Sequence, residues 1–385
     1  MKIEYNLYNK IKSVIKNRKN IGLHEPNFNK KDISNVKNCI SSTYVSTNGK
    51  YIKEFESKLK KITGAKYVIA TNSGTSALHV SLQSIGAKDK TCIIVSPLSF
   101  VASANSIRYN NCDPIFVDCE KNNLSICPEK LKKFFLTKTF KNKKGIFFKN
   151  NKKKIVAILV THVFGSLAKI DELLSISKKF GVPIVEDSAE SLGCTYKKLH
   201  AGTFGKLGIL SFNGNKIITT GAGGAILTNS KKLYNESLHL VKVAKKKHIW
   251  KFNHNKVGYN YSISNLSSAL GCAQLDRLDS IIRSKKKLKT KYKNIFSNSE
   301  HFEFVDFDKL KNIKSNYWLN GILLKKKYNK KFILDYLNKK GLFCRPAWNL
   351  LCDLPPYKKF YKFEIKNAYD IEKRLILLPS SPGLV

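Results

Sequence analysis

Tyr67-Val68-Ile69-Ala70-Thr71-Asn72-Ser73-Gly74-Thr75-Ser76 passes from a β-branched apolar run into a small polar turn, and a helical pattern from Thr75 to Ile85 follows. A short strand, a glycine turn and a helix in that order form the repeating unit of an α/β sheet. The unit recurs downstream. Thr91 to Ser96 reads as a strand before a helix over Ser99 to Tyr109, and Pro114 to Val117 is the next strand. Ile155 to Thr161, a helix over Asp171 to Phe180 and Val182 to Glu186 repeat it. Two closely spaced strands, Leu207 to Phe212 and Gly224 to Thr228, complete the series. The alternation predicts a large α/β sheet, mostly parallel and covered on both faces.

Outside this series the pattern changes. Lys130 to Lys154 is lysine-rich with Phe-Phe pairs, and reads as a helix end followed by an exposed hairpin or loop. One long helical segment is predicted from Leu266 to about Ile295, and beyond Asn316 shorter strands and helices suggest a smaller α+β unit. A chain of 385 residues exceeds what one core usually serves. Two domains are expected: a large α/β domain over 1–255, with an N-terminal segment 1–30, and a small α+β domain over 256–385.

A net charge of +43 points first to nucleic acid or an anionic membrane. Its composition argues otherwise, because Arg18, Arg108, Arg277, Arg283, Arg345 and Arg374 are the only arginines. Nucleic-acid readers lean on Arg for bidentate contacts. Here lysine is spread evenly with abundant Asn and Ile, so neither nucleic acid nor membrane is expected as a partner. The nine cysteines are scattered, odd in number and without a C-x-x-C pair. Reduced, buried thiols are expected, with no zinc site and no disulfide framework. No apolar run reaches a membrane span, and Tyr5 to Ile15 alternates without a signal-peptide core, so a cytoplasmic location is expected.

Three stations fall at the carboxyl ends of predicted strands, where α/β folds bind ligands. At Asn72-Ser73-Gly74-Thr75-Ser76 a helix begins, and its free N–H groups and dipole favour a phosphate, with hydroxyls from Thr75 and Ser76 beside them. The same residues also read as an ordinary capped turn. Glu186-Asp187-Ser188-Ala189-Glu190 ends a buried strand in carboxylates, which is costly unless a cation such as a protonated pyridine meets them. Asp187 could equally cap the next helix. At Ser211-Phe212-Asn213-Gly214-Asn215-Lys216, one lysine stands between a polar turn and Ile217-Ile218-Thr219-Thr220, with glycines beyond. A partly desolvated lysine has a lowered pKa and can form a Schiff base. The glycine run also reads as a weak phosphate loop, but it lacks the order of a P-loop.

Together the three stations resemble the DegT/StrS family of pyridoxal-phosphate (PLP) sugar aminotransferases, from about Ile21 to the C-terminus. Gly74 to His79, Pro97 to Asn105, Glu186 to Glu190, Ser211 to Lys216 and Gly258-Tyr259-Asn260-Tyr261 are similar to its motifs. Leu23-His24-Glu25-Pro26, Ser315-Asn316-Tyr317-Trp318 and Cys344-Arg345-Pro346 resemble its LegC-like branch, which aminates carbon 4 of UDP-linked 4-keto-6-deoxy-N-acetylhexosamines for surface glycans. The resemblance implies the PLP-dependent transferase fold type I and a homodimer with shared active sites. It implies L-glutamate as amino donor and a nucleotide-sugar as acceptor. By position, it implies that Lys216 carries PLP, Asp187 pairs its ring nitrogen and Glu190 lies near its phenolic oxygen. Thr75, Ser76 and Ser211 would bind phosphate, Phe100 would stack on the ring, Asn260 would reach across from the partner, and Arg345 would meet the substrate. Two positions depart from the pattern: Ser262 stands where Arg is usual after the Asn-Tyr pair, and Cys352 where a His is expected. Dehydratases of the family carry His in place of the Schiff-base lysine, so Lys216 argues for transamination. The reading from another class is a non-enzymatic basic regulatory or nucleic-acid-associated protein on the same fold.

Overall fold

The computed structural model describes residues 2–15, 18–307, 311–325 and 328–385. Three helices lead: α1 (Ile3–Val14), α2 (Lys30–Ser41) and α3 (Lys50–Thr63). Strands and helices then alternate through β1 (Tyr67–Thr71), α4 (Gly74–Ser84), β2 (Thr91–Val95), α5 (Val101–Tyr109), β3 (Asp113–Val117) and α6 (Pro128–Lys138). A hairpin of β4 (Thr139–Asn142) and β5 (Gly145–Phe148) leads into β6 (Lys154–Thr161), α7 (Ile170–Phe180) and β7 (Ile184–Asp187). The short pair β8 (Thr195–Tyr196) and β9 (Leu199–His200) precedes β10 (Leu207–Ser211) and β11 (Gly224–Thr228). Helices α8 (Lys231–Val241), α9 (Asn265–Leu275) and α10 (Leu278–Phe296) follow. The chain ends in β12 (Phe302–Phe304), β13 (Ile313–Lys314), β14 (Asn320–Leu324), α11 (Lys330–Lys339), β15 (Arg345–Pro346), β16 (Lys362–Phe363), α12 (Asn367–Arg374) and β17 (Leu375–Leu378).

The main sheet has ten strands in the order β1-β11-β10-β7-β6-β2-β3-β16, with the β4–β5 hairpin attached to β6. From β10 to β16 all neighbours are parallel, and β11 runs antiparallel to both β10 and β1. This is the mixed, mostly parallel sheet that the sequence predicts. Every residue of β2 and β11 is buried, which explains why these strands read as unbroken apolar runs. A four-stranded antiparallel sheet, β12-β14-β17-β15, forms the smaller C-terminal layer.

Packing crosses residue 255 in both directions. Helix α1 buries Leu7, Ile11 and Val14, spaced as one helical face, among Leu288, Tyr292, Ile322 and Leu378 of the C-terminal core. Conversely, β16 extends the large sheet beside β3, and α9 buries Ala269 and Cys272 in the large core. The single helix expected over 266–295 is two. It breaks at Asp276 and Arg277 because Asp276 pairs with Lys31 and Lys58, while Arg277 reaches Asp32 at 2.7 Å. Of the exposed hairpin or loop expected after α6, the hairpin is present but only partly exposed: Ile146 and Phe148 of β5 are buried in one cluster with Phe134 and Phe135 of α6. All nine cysteines are buried. No helix among the described residues is long and apolar enough to cross a membrane.

Candidate active site

The carboxyl ends of β1, β2, β6, β7 and β10 share one edge of the sheet, and a cavity of about 340 Å³ opens over them. Its floor and one wall come from Ser73, Thr75, Asp187, Glu190, Ser211 and Lys216; Trp318 and Trp348, from C-terminal segments, form the other wall.

Helix α4 starts at this edge. Ser73 caps it by accepting the Ser76 N–H at 3.0 Å, and the N–H groups of Gly74 and Thr75 lack intrahelical acceptors at this end of the helix. Gly74 is required by proximity: a Cβ there would lie 2.8 Å from Ser211 Cβ. The absence of a side chain brings the helix start and the tip of β10 together, so amide dipoles and the hydroxyls of Thr75 and Ser211 converge. Ser76 is directed elsewhere. Its hydroxyl bonds Ser73 Oγ at 2.8 Å, and it does not line the cavity.

Strand alternation separates the acidic pair of β7. Glu186 turns away from the cavity and takes the N–H groups of Gly202 at 2.7 Å and Gly205 at 2.6 Å, together with His162 Nε2 at 3.0 Å. The Ala168 N–H donates to His162 Nδ1 at 3.2 Å, which leaves Nε2 to carry the proton given to Glu186. Asp187 faces the cavity. Its Oδ2 accepts from Ser103 Oγ at 2.7 Å and its Oδ1 from the Ala189 N–H at 3.2 Å. Burial pushes the Asp187 carboxyl above its ordinary range, opposed by those two donors and by the charge of Lys216.

Lys216 follows the turn after β10, where its N–H donates to Asn213 O at 3.0 Å. Its Nζ lies 3.3 Å from Glu190 Oε1 and 4.1 Å from the centroid of the Trp318 ring. Glu190 is fully enclosed: burial raises its carboxyl, Lys216 and the Phe164 N–H at 2.8 Å oppose the rise, and the charge of Asp187 adds to it. Phe164 makes that contact from a left-handed backbone conformation (φ 56°, ψ 23°), unusual for a bulky residue and common at functional sites.

The segment 315–319 is stitched to this machinery. Asn316 Nδ2 donates to the carbonyls of Glu190 and Leu192 at 2.9 and 3.0 Å, and its Oδ1 accepts the Trp318 N–H at 2.9 Å. The Trp318 indole N–H donates to Asn215 O at 2.8 Å.

Residues 26–385 match the model of the DegT/DnrJ/EryC1/StrS aminotransferase family. The chain belongs to that family. It is 32% identical to GDP-perosamine synthase of Escherichia coli O157:H7, with 95% of this chain and 94% of that protein covered. It is 29% identical to UDP-4-amino-4,6-dideoxy-N-acetyl-beta-L-altrosamine transaminase of Campylobacter jejuni, covering 87% of this chain and 86% of the relative. Among solved structures, Helicobacter pylori PseC, an aminotransferase involved in the biosynthesis of pseudoaminic acid, superposes with a TM-score of 0.84 at 27% identity, over 94% of each chain. The fold is the type I PLP-dependent aminotransferase fold, with a large mixed-sheet domain and a smaller C-terminal domain.

Of the residues singled out in the sequence of this family member, Thr75, Phe100, Asp187, Glu190, Ser211 and Lys216 line one cavity. Asn260 and Arg345 do not line it; both are exposed, Arg345 on β15 and Asn260 bridged to Lys242. Cys352 is fully buried in the large core, with burial pushing its thiol up to about 11, so this departure is a packing residue within the chain. Ser262 bridges to Thr71 beside the cavity edge. Sequence reasoning quoted Ser103 and Trp318 within motifs without giving either a role, and passed over Trp348. Ser103 lies one helical turn beyond Phe100, a spacing that puts both on one face and could have signalled it.

Proposed function

We propose that this chain is a PLP-dependent aminotransferase that moves an amino group from L-glutamate to carbon 4 of a UDP-linked 4-keto-6-deoxy-N-acetylhexosamine for surface glycan synthesis. The observation carrying the proposal is Asp187: a buried carboxylate, held by two donors, that faces a cavity whose lysine is bonded to a different acid. A protonated pyridine nitrogen fits that place, as a phosphate fits the cradle of Gly74, Thr75 and Ser211.

When bound, PLP supplies an electron sink and the carbon that carries the amino group between donor and acceptor. The chain does the rest. Asp187 keeps the ring nitrogen protonated, and Ser103 keeps Asp187 oriented. Lys216 is the amine joined to the cofactor and, when displaced, moves the proton at the donor's Cα. Glu190 holds the Lys216 amine in place and would lie near the cofactor's phenolic oxygen. Thr75 and Ser211 hold the phosphate, Ser76 supports it through Ser73, and Phe100 covers the ring. Arg345 is assigned to substrate from outside the cavity, where a guanidinium suits a diphosphate.

A homodimer with shared sites is part of the proposal. Helix α2 leaves Ile33 and Ile40 more than half exposed beside Tyr44, an apolar surface suited to a second copy of the chain. Asn260, exposed beyond the cavity, is assigned to the partner's site. Relatives that use GDP-linked and UDP-linked sugars are both close to this chain in sequence, so the choice of UDP rests on the resemblance of Leu23 to Pro26 and Ser315 to Trp318.

The test is the visible spectrum of the protein with PLP, before and after L-glutamate, followed by addition of UDP-4-keto-6-deoxy-N-acetylglucosamine. A lysine-linked band that collapses with glutamate and returns with the sugar nucleotide is expected. Lys216→Ala should lose both the band and turnover. A wild-type protein that folds, meets excess PLP and shows no band would end the proposal.

A further inference from the structure

The cofactor reading accounts for the polar wall of the cavity and leaves the aromatic one unexplained. Trp318 and Trp348 both face the cavity, and Phe164 lies between them, its ring 6.3 Å from the first and 4.7 Å from the second. The buried Phe164 is in the left-handed region, a strained arrangement that persists only where surroundings enforce it. Its N–H is held by Glu190 and its carbonyl accepts the Leu319 N–H at 3.4 Å, so the wall is fixed to the acid that also holds Lys216. The Trp318 indole N–H is consumed by Asn215 O, so the ring offers the cavity a face and no donor. That face lies 4.1 Å from Lys216 Nζ. Whatever reacts at the Lys216 amine therefore lies beside it.

We propose that Trp318, backed by Phe164 and continued by Trp348, is the platform for the apolar face of the acceptor hexose. Trp318 is then a specificity-determining residue of the acceptor half-reaction; the inference rests on the aminotransferase reading above. A hexose with a methyl at C6 and a carbonyl at C4 has one face free of hydroxyl donors. Laid on two indoles, it desolvates C–H groups only, whereas a hydroxyl on the same face would lose its water without gaining a partner. The ammonium that Trp318 attracts when the sugar is absent is replaced on the same ring face when the sugar enters.

The test separates the two half-reactions in the PLP-loaded enzyme. Trp318→Phe keeps a ring over Lys216, and Trp348→Leu touches neither Lys216 nor the carboxylates. In both variants the rate of band loss with L-glutamate should fall by a smaller factor than the affinity for the acceptor sugar does. The concentration of UDP-4-keto-6-deoxy-N-acetylglucosamine giving half-maximal return of the band should rise about tenfold in Trp348→Leu and less in Trp318→Phe. Inhibition by UDP alone should be unchanged, since the platform is proposed for the hexose and not for the nucleotide. Equal losses in both half-reactions, weaker UDP inhibition, or no change with the sugar in either variant would overturn the platform. A wild-type enzyme inert to L-glutamate strikes the aminotransferase reading itself, which the variants do not address.

Discussion

Glu186 and Asp187 are consecutive on β7, yet one is saturated by three donors on the far side of the sheet while the other faces the cavity with two. The first is a structural charge, matched within the chain. The second is prepared for something the chain itself does not provide.

Removal of the Asp187 charge should therefore act oppositely on two quantities. Asp187→Asn is expected to leave the cofactor-free protein as stable as wild type or more so, because a desolvated charge is lost, the amide oxygen still accepts the Ala189 N–H, and the Ser103 hydroxyl can turn to accept from the new NH2 group. The same variant should bind PLP at least about tenfold more weakly, since an amide cannot pair a ring cation. Thermal unfolding with and without PLP measures both, and a less stable apoprotein with unchanged PLP affinity would contradict the argument.

At the phosphate cradle, Gly74→Ala should cost about 1–3 kcal/mol of stability, the usual range for overpacking. The new Cβ meets Ser211 Cβ at 2.8 Å, so adding Ser211→Gly should recover much of that loss without restoring PLP affinity. A double-mutant cycle by urea unfolding and PLP titration checks both.

Two buried histidines set an acid limit on stability. Burial lowers His200 to about 4, and lowers His24 well below its ordinary value, with Lys285 and Lys216 adding to the effect. Below about pH 6.5 the unfolded chain takes up protons that these folded rings refuse, so stability falls with pH, by up to about tenfold in the folding constant per pH unit for each histidine. Asp187 and Glu190, raised by burial, act in the opposite sense as pH falls toward their folded pKa values. The histidine contribution is isolated with His24→Phe. Both ring nitrogens of His24 are buried and unpaired among the described residues, so the variant should gain about 1 kcal/mol at neutral pH and more at pH about 5. A gain that shrinks on acidification would refute this assignment.

The proposed sharing of sites between subunits predicts complementation. Lys216→Ala and Asn260→Ala homodimers should each be impaired, and a mixture allowed to exchange subunits should regain up to about a quarter of wild-type activity, because half the dimers then hold one intact site in two. Activity assays before and after mixing decide it; no recovery despite proven exchange would place Asn260 outside the partner's site.

Much of this architecture was legible because the central strands are short, doubly buried and therefore continuously apolar, as Thr91–Val95 and Gly224–Thr228 are. What escaped depends on partners distant in sequence. The α9–α10 break cannot be read locally, since Arg277 is turned out by Asp32, 245 positions away. Ser76 has the right residue type for a phosphate contact but is held by Ser73, and only coordinates distinguish the two. Trp318 reaches Lys216 because Asn316 grips the carbonyls of Glu190 and Leu192, an interaction without periodicity or motif.

The embedding of α1 sets an order of events during synthesis. Helix α1 buries its face against Leu288, Tyr292 and Leu378, which are synthesised long after it. The outer strand of the large sheet, β16, also comes late. The nascent chain must therefore carry Leu7, Ile11 and Val14 unprotected through most of translation, a window in which chaperones have a binding face. The cavity wall that Trp348 completes is likewise made only after every polar residue of the opposite wall has been synthesised.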